Sequence, residues 1–146
     1  MSDSDLVTKE HPIVEAFVDL VDATAGDGIL DFTDIQTPSF IKFWEYLIIL
    51  RHEEDVNDFR FVLHGSSAVA LYGMDCTGKL MSEVGLGEAY QEKYQADMRV
   101  LNEKTRIYAS GTLFWRNKDY KEWYRVKMPL RRKGRVNEVL VCVCAP

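Results

Sequence analysis

The sequence lacks most of the features that announce a function outright. No apolar run approaches the roughly 18 residues a membrane-spanning helix needs. The opening stretch MSDSDLVTKEH has neither the basic nor the apolar segment of a secretory signal, so a cytoplasmic setting is expected. Cysteine is scarce: Cys76, Cys142 and Cys144 are an odd number and fit reduced thiols better than a disulfide framework. Histidine is scarce too, and His11, His52 and His64 fall on separate elements without ligand-like spacing, so no metal site is expected. There is no G-x-x-x-x-G-K-[ST], no G-x-S-x-G and no H-E-x-x-H. A net charge of −5 argues against general nucleic-acid binding. The expectation is a protein that is not an enzyme, with no catalytic residues, no cofactor, and no nucleic acid or membrane among its partners.

What is present is enough for one folded unit. The 146 residues, 47% hydrophobic and 28% charged, suit one soluble domain with a core of its own. The charge is polarised. Residues 1–34 carry nine acids and one lysine, whereas residues 116–135 carry nine basic residues and two acids. Two solvated faces would explain this, and so would docking of the acidic segment on the basic one, within a subunit or across a dimer.

The hydrophobic pattern lays out the elements. HPIVEAFVDLVDATAG reads as a helix, with Pro12 at its first position and Ile13, Val14, Phe17, Val18 and Val21 on one face. TPSFIKFWEY gives a short helix at best. YLIILRHE and FRFVLHG form a hairpin, the second strand placing Phe59, Phe61 and Leu63 on one face. SSAVALYG is one or two helical turns capped by Ser66 or Ser67 and stopped by Gly73, and KLMSEVG another turn. GEAYQEKYQADMRVLNEKT is the longest helix, with Tyr90, Tyr94, Met98 and Leu101 as its buried stripe. RIYASGTLFW, KEWYRVKMPL and VNEVLVCVC are three closing strands. Strands at both ends with helices between them predict an α+β domain built on one antiparallel sheet.

The segment FRFVLHGSSAVALYGMDCTGKLMSEV resembles PAS-fold proteins of the bacterial PAS-5 type. The likeness rests on an aromatic strand ending in Gly, followed by a Gly-x-Asp-x-Thr-Gly-Lys turn, here Gly73, Asp75, Thr77, Gly78 and Lys79. DFTDIQ upstream and WYRVKMPLRRKGRVNEVLV downstream extend it over roughly residues 31–145. The resemblance implies a five-stranded antiparallel sheet of order 2-1-5-4-3. Short helices and one longer helix would lie on one face around a pocket, with the N-terminal helix outside this core. It divides the chain into a helical extension, 1–30, and a PAS-like domain, 31–146. It also implies a sensor or signalling module and dimerisation through N-terminal helices.

Cys76 poses the sharpest chemical question. The mechanical reading makes it a small apolar filler between Asp75, which can accept backbone N–H bonds of the following turn, and Thr77. A nucleophilic role would need a base or a lowered pKa, and an adjacent carboxylate works the other way. Light-sensing flavin PAS domains carry their reactive cysteine three residues after the glycine matching Gly78, where this chain has Met81. Haem-binding relatives carry a histidine on the long helix, which has none here. Cys142 and Cys144 share a strand face but lack further ligands nearby.

The expected function is therefore a PAS-like sensor acting alone, since no output domain follows in the sequence given. It would bind an unidentified small molecule in an apolar pocket and act through a protein partner or a homodimer. Alternation along KEWYRVKMPL puts Tyr124, Val126 and Met128 on one face, and Trp123, Arg125 and Lys127 on the other. An aromatic, Met-lined pocket then suggests Tyr72, Tyr94, Met98, Tyr108, Tyr124 and Met128 as ligand-binding residues. The alternatives are a ligand-free dimerisation or adaptor domain, and a small enzyme on a cone-shaped α+β fold of the nuclear-transport-factor type.

Overall fold

The computed structural model describes residues 11–112 and 122–145. The expected N-terminal acidic arm before His11, and the strand ends and turn holding Phe114, Trp115, Arg116, Lys118 and Lys121, lie outside the described residues. The elements are α1 (Pro12–Thr24), β1 (Leu30–Asp31), α2 (Phe32–Ile35), α3 (Pro38–Ile41), β2 (Leu47–Glu53), β3 (Asp58–His64), α4 (Ser66–Tyr72), α5 (Ala89–Glu103), β4 (Ile107–Thr112), β5 (Glu122–Arg132) and β6 (Arg135–Cys144). Single 3-10 turns at Trp44–Tyr46 and Met81–Glu83 complete them.

The five long strands form an antiparallel sheet in the spatial order β3-β2-β6-β5-β4. Counted along the chain without β1, that is the expected 2-1-5-4-3. The two-residue β1 is an addition: it pairs in parallel with β5 through Leu30 and Leu130. β4 and β1 share β5 as a partner, β4 reaching Lys127 and β1 starting at Leu130. Pro129, which has no N–H to give, falls in the interval between them.

Helices cover both faces of the sheet, so there are two apolar cores. On the outer face α1 lays Val14, Phe17, Val18 and Val21 against Leu47, Ile49, Val126, Met128, Leu140 and Cys142. The stripe thus lies on the protein's own sheet. Its start is held by His11, whose Nδ1 accepts from the Ile13 N–H at 3.3 Å and lies 3.2 Å from the Cys144 sulfur. The ring's other nitrogen reaches the Ala145 carbonyl at 3.4 Å, which joins the first described element to the last strand. The polarised charges meet at one described pair, Asp27 with Arg131 at 2.9 Å. DFTDIQ forms α2 through a capping box: the Asp31 carboxylate accepts from the Thr33 N–H, and the Asp34 carboxylate from the Asp31 N–H. Where this face meets solvent, buried Glu138 accepts from Arg51 at 2.8 Å and from Arg132 at 2.9 Å.

On the inner face α4, the Met81–Glu83 turn and α5 enclose Ile48, Leu50, Phe59, Phe61, Val139, Val141 and Val143. Two local expectations need correction. A bulge in the β2–β3 ladder at Ile49/Leu50 breaks the alternation, so Leu63 packs with the outer core while Phe59 and Phe61 stay inside. The residue capping α4 is Gly65, not Ser66 or Ser67. A Cβ at Gly65 would stand 2.0 Å from the Trp44 carbonyl oxygen, so no other residue fits there.

Candidate functional site

The turn with the Gly-x-Asp-x-Thr-Gly-Lys motif is a built structure. Gly73 closes α4 in the left-handed region at φ 84°. One Asp75 carboxylate oxygen accepts from the Thr77 N–H at 2.9 Å and from the Thr77 hydroxyl at 2.6 Å. These bonds, the larger influence, and the proximity of His64 hold the Asp75 carboxyl below its ordinary range. The Gly78 N–H then donates to the Phe61 carbonyl at 2.7 Å, and the Phe61 N–H to Lys79, so the turn runs along the edge of β3.

Cys76 is fully buried in the inner core, and its N–H donates to His64 Nδ1 at 3.1 Å. His64 is packed between the rings of Phe61 and Tyr72. Burial lowers its pKa, with Asp75 opposing, so the ring is held neutral as an acceptor. The spacing of 12 residues gave no hint of this contact. It serves the turn's backbone rather than the thiol.

Beside this turn, between α5 and the inner face of the sheet, lies a cavity of about 30 Å³. That is room for roughly two water molecules, at about one per 10–15 Å³. Its apolar lining includes Ile48, Leu50, Phe61, Leu71 and Met81. The lining also holds three cations, Lys93 from α5 with Arg125 and Lys127 from β5, beside the Trp123 ring, and Tyr72. The Arg125 guanidinium sits 4.7 Å from the centre of that ring and the Lys93 ammonium 6.0 Å from it.

One buried carboxylate answers these charges. Asp97, fully enclosed on α5, takes Lys127 at 2.5 Å through one oxygen. Its other oxygen has no hydrogen-bond partner, and neither does the buried Arg125 Nε, among the described residues. Burial pulls the Lys127 pKa down against the pull of Asp97. Lys93 has no ion pair among the described residues. Burial first, then the Arg125 and Lys127 charges, bring its pKa down to about 7.

The six residues expected to bind a ligand are not brought together. Tyr72 lines the cavity, and burial raises its hydroxyl pKa to about 12. Tyr94 and Met98 pack on the inner core without lining the cavity. The Tyr94 hydroxyl instead donates to Asn57 at 2.6 Å, near the neighbouring Tyr90–Asp58 bond of 2.9 Å. Tyr108, Tyr124 and Met128 lie on the outer face with α1, Tyr124 against the His11 ring. Alternation sorted β5 into its two faces correctly, but the cavity takes the Trp123/Arg125/Lys127 face. α5 packs over that face of the strand.

Solved structures with a similar fold include two at low sequence identity. A domain of an HTR-like protein from Haloarcula marismortui superposes with a TM-score of 0.52 at 12% identity, covering 68% of this chain and 94% of that one. The PAS domain of the histidine kinase ThkA gives 0.50 at 14% identity, covering 67% and 95%. The chain has the PAS fold. No family model and no curated protein matches the sequence, and the likeness, at this identity, is one of fold and does not distinguish the PAS-5 type. The strand order decides against the cone-shaped alternative.

Proposed function

We propose that this PAS domain is a sensor or signalling module without catalytic activity, responsive to a small molecule held between α5 and the sheet. The observation that carries the reading is the inner cavity, whose lining includes Arg125 with a buried Nε that has no hydrogen-bond partner among the described residues. Buried polar groups are nearly always hydrogen-bonded, so an orphan in a cavity wall marks a place for another molecule. Occupancy would act by population shift: a ligand that favours one arrangement of α5 over β5 changes the surface offered to a protein partner or a second copy. The α1 stripe is already spent on its own sheet, so a homodimer contact through α1 would use its outward side, where Glu15, Asp19 and Asp22 are exposed. No helix among the described residues is long and apolar enough to cross a membrane, which suits the proposed cytoplasmic setting.

The small volume favours one competing reading, an adaptor whose cavity is filled by its own side chains. Native mass spectrometry of the purified protein separates the two. A co-purified small molecule, absent from a Leu71→Trp variant that fills the cavity, supports the sensor. A bare mass in both, with a partner-binding surface intact, supports the adaptor.

A further inference from the structure

The inner cavity is unevenly charged for a buried site. Three cationic side chains, Lys93, Arg125 and Lys127, face it, with Asp97 the only carboxylate bonded to any of them among the described residues. Asp97 spends one oxygen on Lys127. Arg125 keeps a buried N–H with no acceptor among the described residues, and its guanidinium is stacked on Trp123. A buried cation without a partner is costly and must be relieved by losing its proton, by water or by an anion. Lysine can take the first route. Arginine cannot, since it stays protonated in proteins. The buried Nε of the half-buried Arg125 therefore asks for an acceptor, water or an anion, from outside the protein's described groups.

Resting on the sensor reading above, we infer that the cavity is a receptor for a short-chain carboxylate, its head group bound by Arg125 and Lys93 and its short tail against Leu71 and Met81. The head group follows from the planar guanidinium, whose fork matches a carboxylate in two parallel hydrogen bonds. The single charge follows from the lining. Beyond the cationic wall the walls are aliphatic and aromatic, and a multiply charged oxyanion would face them with unmade hydrogen bonds. The size follows from the volume: about 30 Å³ admits a molecule of acetate's dimensions, and a longer tail would have to displace Leu71 or Met81.

The same geometry makes binding proton-linked. Lys93 faces Arg125 and Lys127 on β5, with Asp97 and Glu92 on its own helix. With the cavity empty, repulsion and burial favour its neutral form from near pH 7 upward. A bound carboxylate favours the ammonium. Binding therefore takes up a proton at Lys93, and affinity weakens by roughly tenfold per pH unit above about 7 until the bound form itself titrates.

The test is calorimetric and thermal titration of the whole chain with formate, acetate, propionate and butyrate, beside acetamide, ethanol and ethylammonium, at constant ionic strength with chloride as the balancing anion. Acetate should bind saturably and raise the melting temperature, and propionate and butyrate should bind progressively more weakly. Acetamide and ethanol should not. Binding heats measured in buffers of different ionisation enthalpy should report proton uptake above pH 7. Arg125→Met should abolish the response. Lys93→Met, at a half-buried position outside the apolar core, should weaken it and remove its pH dependence even if the Arg125 variant does not fold. A carboxylate response unchanged in Lys93→Met would overturn the inference. A response to acetamide or ethanol without one to acetate would overturn it while leaving the sensor reading intact. Silence from every probe, together with a bare mass in native spectrometry, would remove both.

Discussion

The two faces of the sheet are built on opposite terms. The outer face, under α1, closes its charge accounts: Glu138 is bracketed by Arg51 and Arg132, and burial raises the Cys144 thiol to about 12, which keeps it protonated. Its aromatic rings pack edge to face, Phe17 against Phe40 and Phe43. The inner face, under α5, keeps a cavity, a buried ion pair and three buried polar atoms, His64 Nε2, Asp97 Oδ2 and Arg125 Nε, without hydrogen-bond partners among the described residues. One strand, β5, supplies both: Val126, Met128 and Leu130 to the outer core, Arg125 and Lys127 to the cavity. The difference teaches where each task sits. The outer face is packed and paired, and the inner face carries the buried polar groups on which the proposed binding rests.

Substitutions on the two faces should therefore fail differently. The largest effect is expected outside. Phe17→Ala removes a fully buried ring and should cost about 3–5 kcal/mol in urea unfolding. A loss under about 1 kcal/mol would mean that α1 is not part of the core.

Inside, Asp97→Asn leaves Lys127 buried without its counter-charge. The cost should be roughly 3 kcal/mol, moderated because lysine can shed its proton. The double change Asp97→Leu with Lys127→Met should recover most of that, since apolar pairs often replace buried ion pairs without loss. Recovery of stability would sharpen the contrast between the faces. A double variant as unstable as the single one would show that the pair is a structural requirement like the outer core.

Smaller effects belong to the turn at the cavity's edge. Asp75→Ala should cost about 1 kcal/mol, the scale of a lost cap, because the Thr77 N–H loses its acceptor. Cys76→Val, a swap of similar volume in the inner core, should cost less than about 1.5 kcal/mol. A Cys76→Val cost well above about 1.5 kcal/mol, or no measurable cost for Asp75→Ala, would break the mechanical account of the motif.

The smallest expected effect is a pH slope from His64. Folding lowers its proton affinity, so its contribution to stability is complete above the unfolded value of 6.5 and is lost as the pH falls below it. His64→Asn keeps an acceptor for the Cys76 N–H and should flatten denaturation midpoints compared between pH 7.5 and 5.5. An unchanged slope would place the acid sensitivity elsewhere.

The outline of the fold was legible because periodicity states it directly. The α1 stripe, the β2–β3 hairpin and the left-handed end of α4 at Gly73 all follow from spacing and from glycine's freedom at positive φ. The PAS turn placed the strand order. The site was harder to read, since alternation separates two faces without saying which is covered. A signal for the true lining did exist. Lys93, Asp97 and Val100 repeat at helical spacing on α5, so a charged pair interrupts an apolar row. Trp123, Arg125 and Lys127 do the same at strand spacing on β5. Their meeting across some 30 residues is a tertiary fact that no local pattern contains. The β2–β3 bulge that moves Leu63 to the outer core is of the same kind.

The most direct measurement is the titration of the Lys93 side-chain amine by NMR, on protein labelled at lysine, with and without acetate. The account predicts a free-protein midpoint near 7, far below the ordinary 10.5 of lysine, moving upward when acetate is present. A midpoint near 10.5 that acetate leaves unchanged would contradict it, since Lys93 would then feel neither burial and the neighbouring cations nor a bound carboxylate.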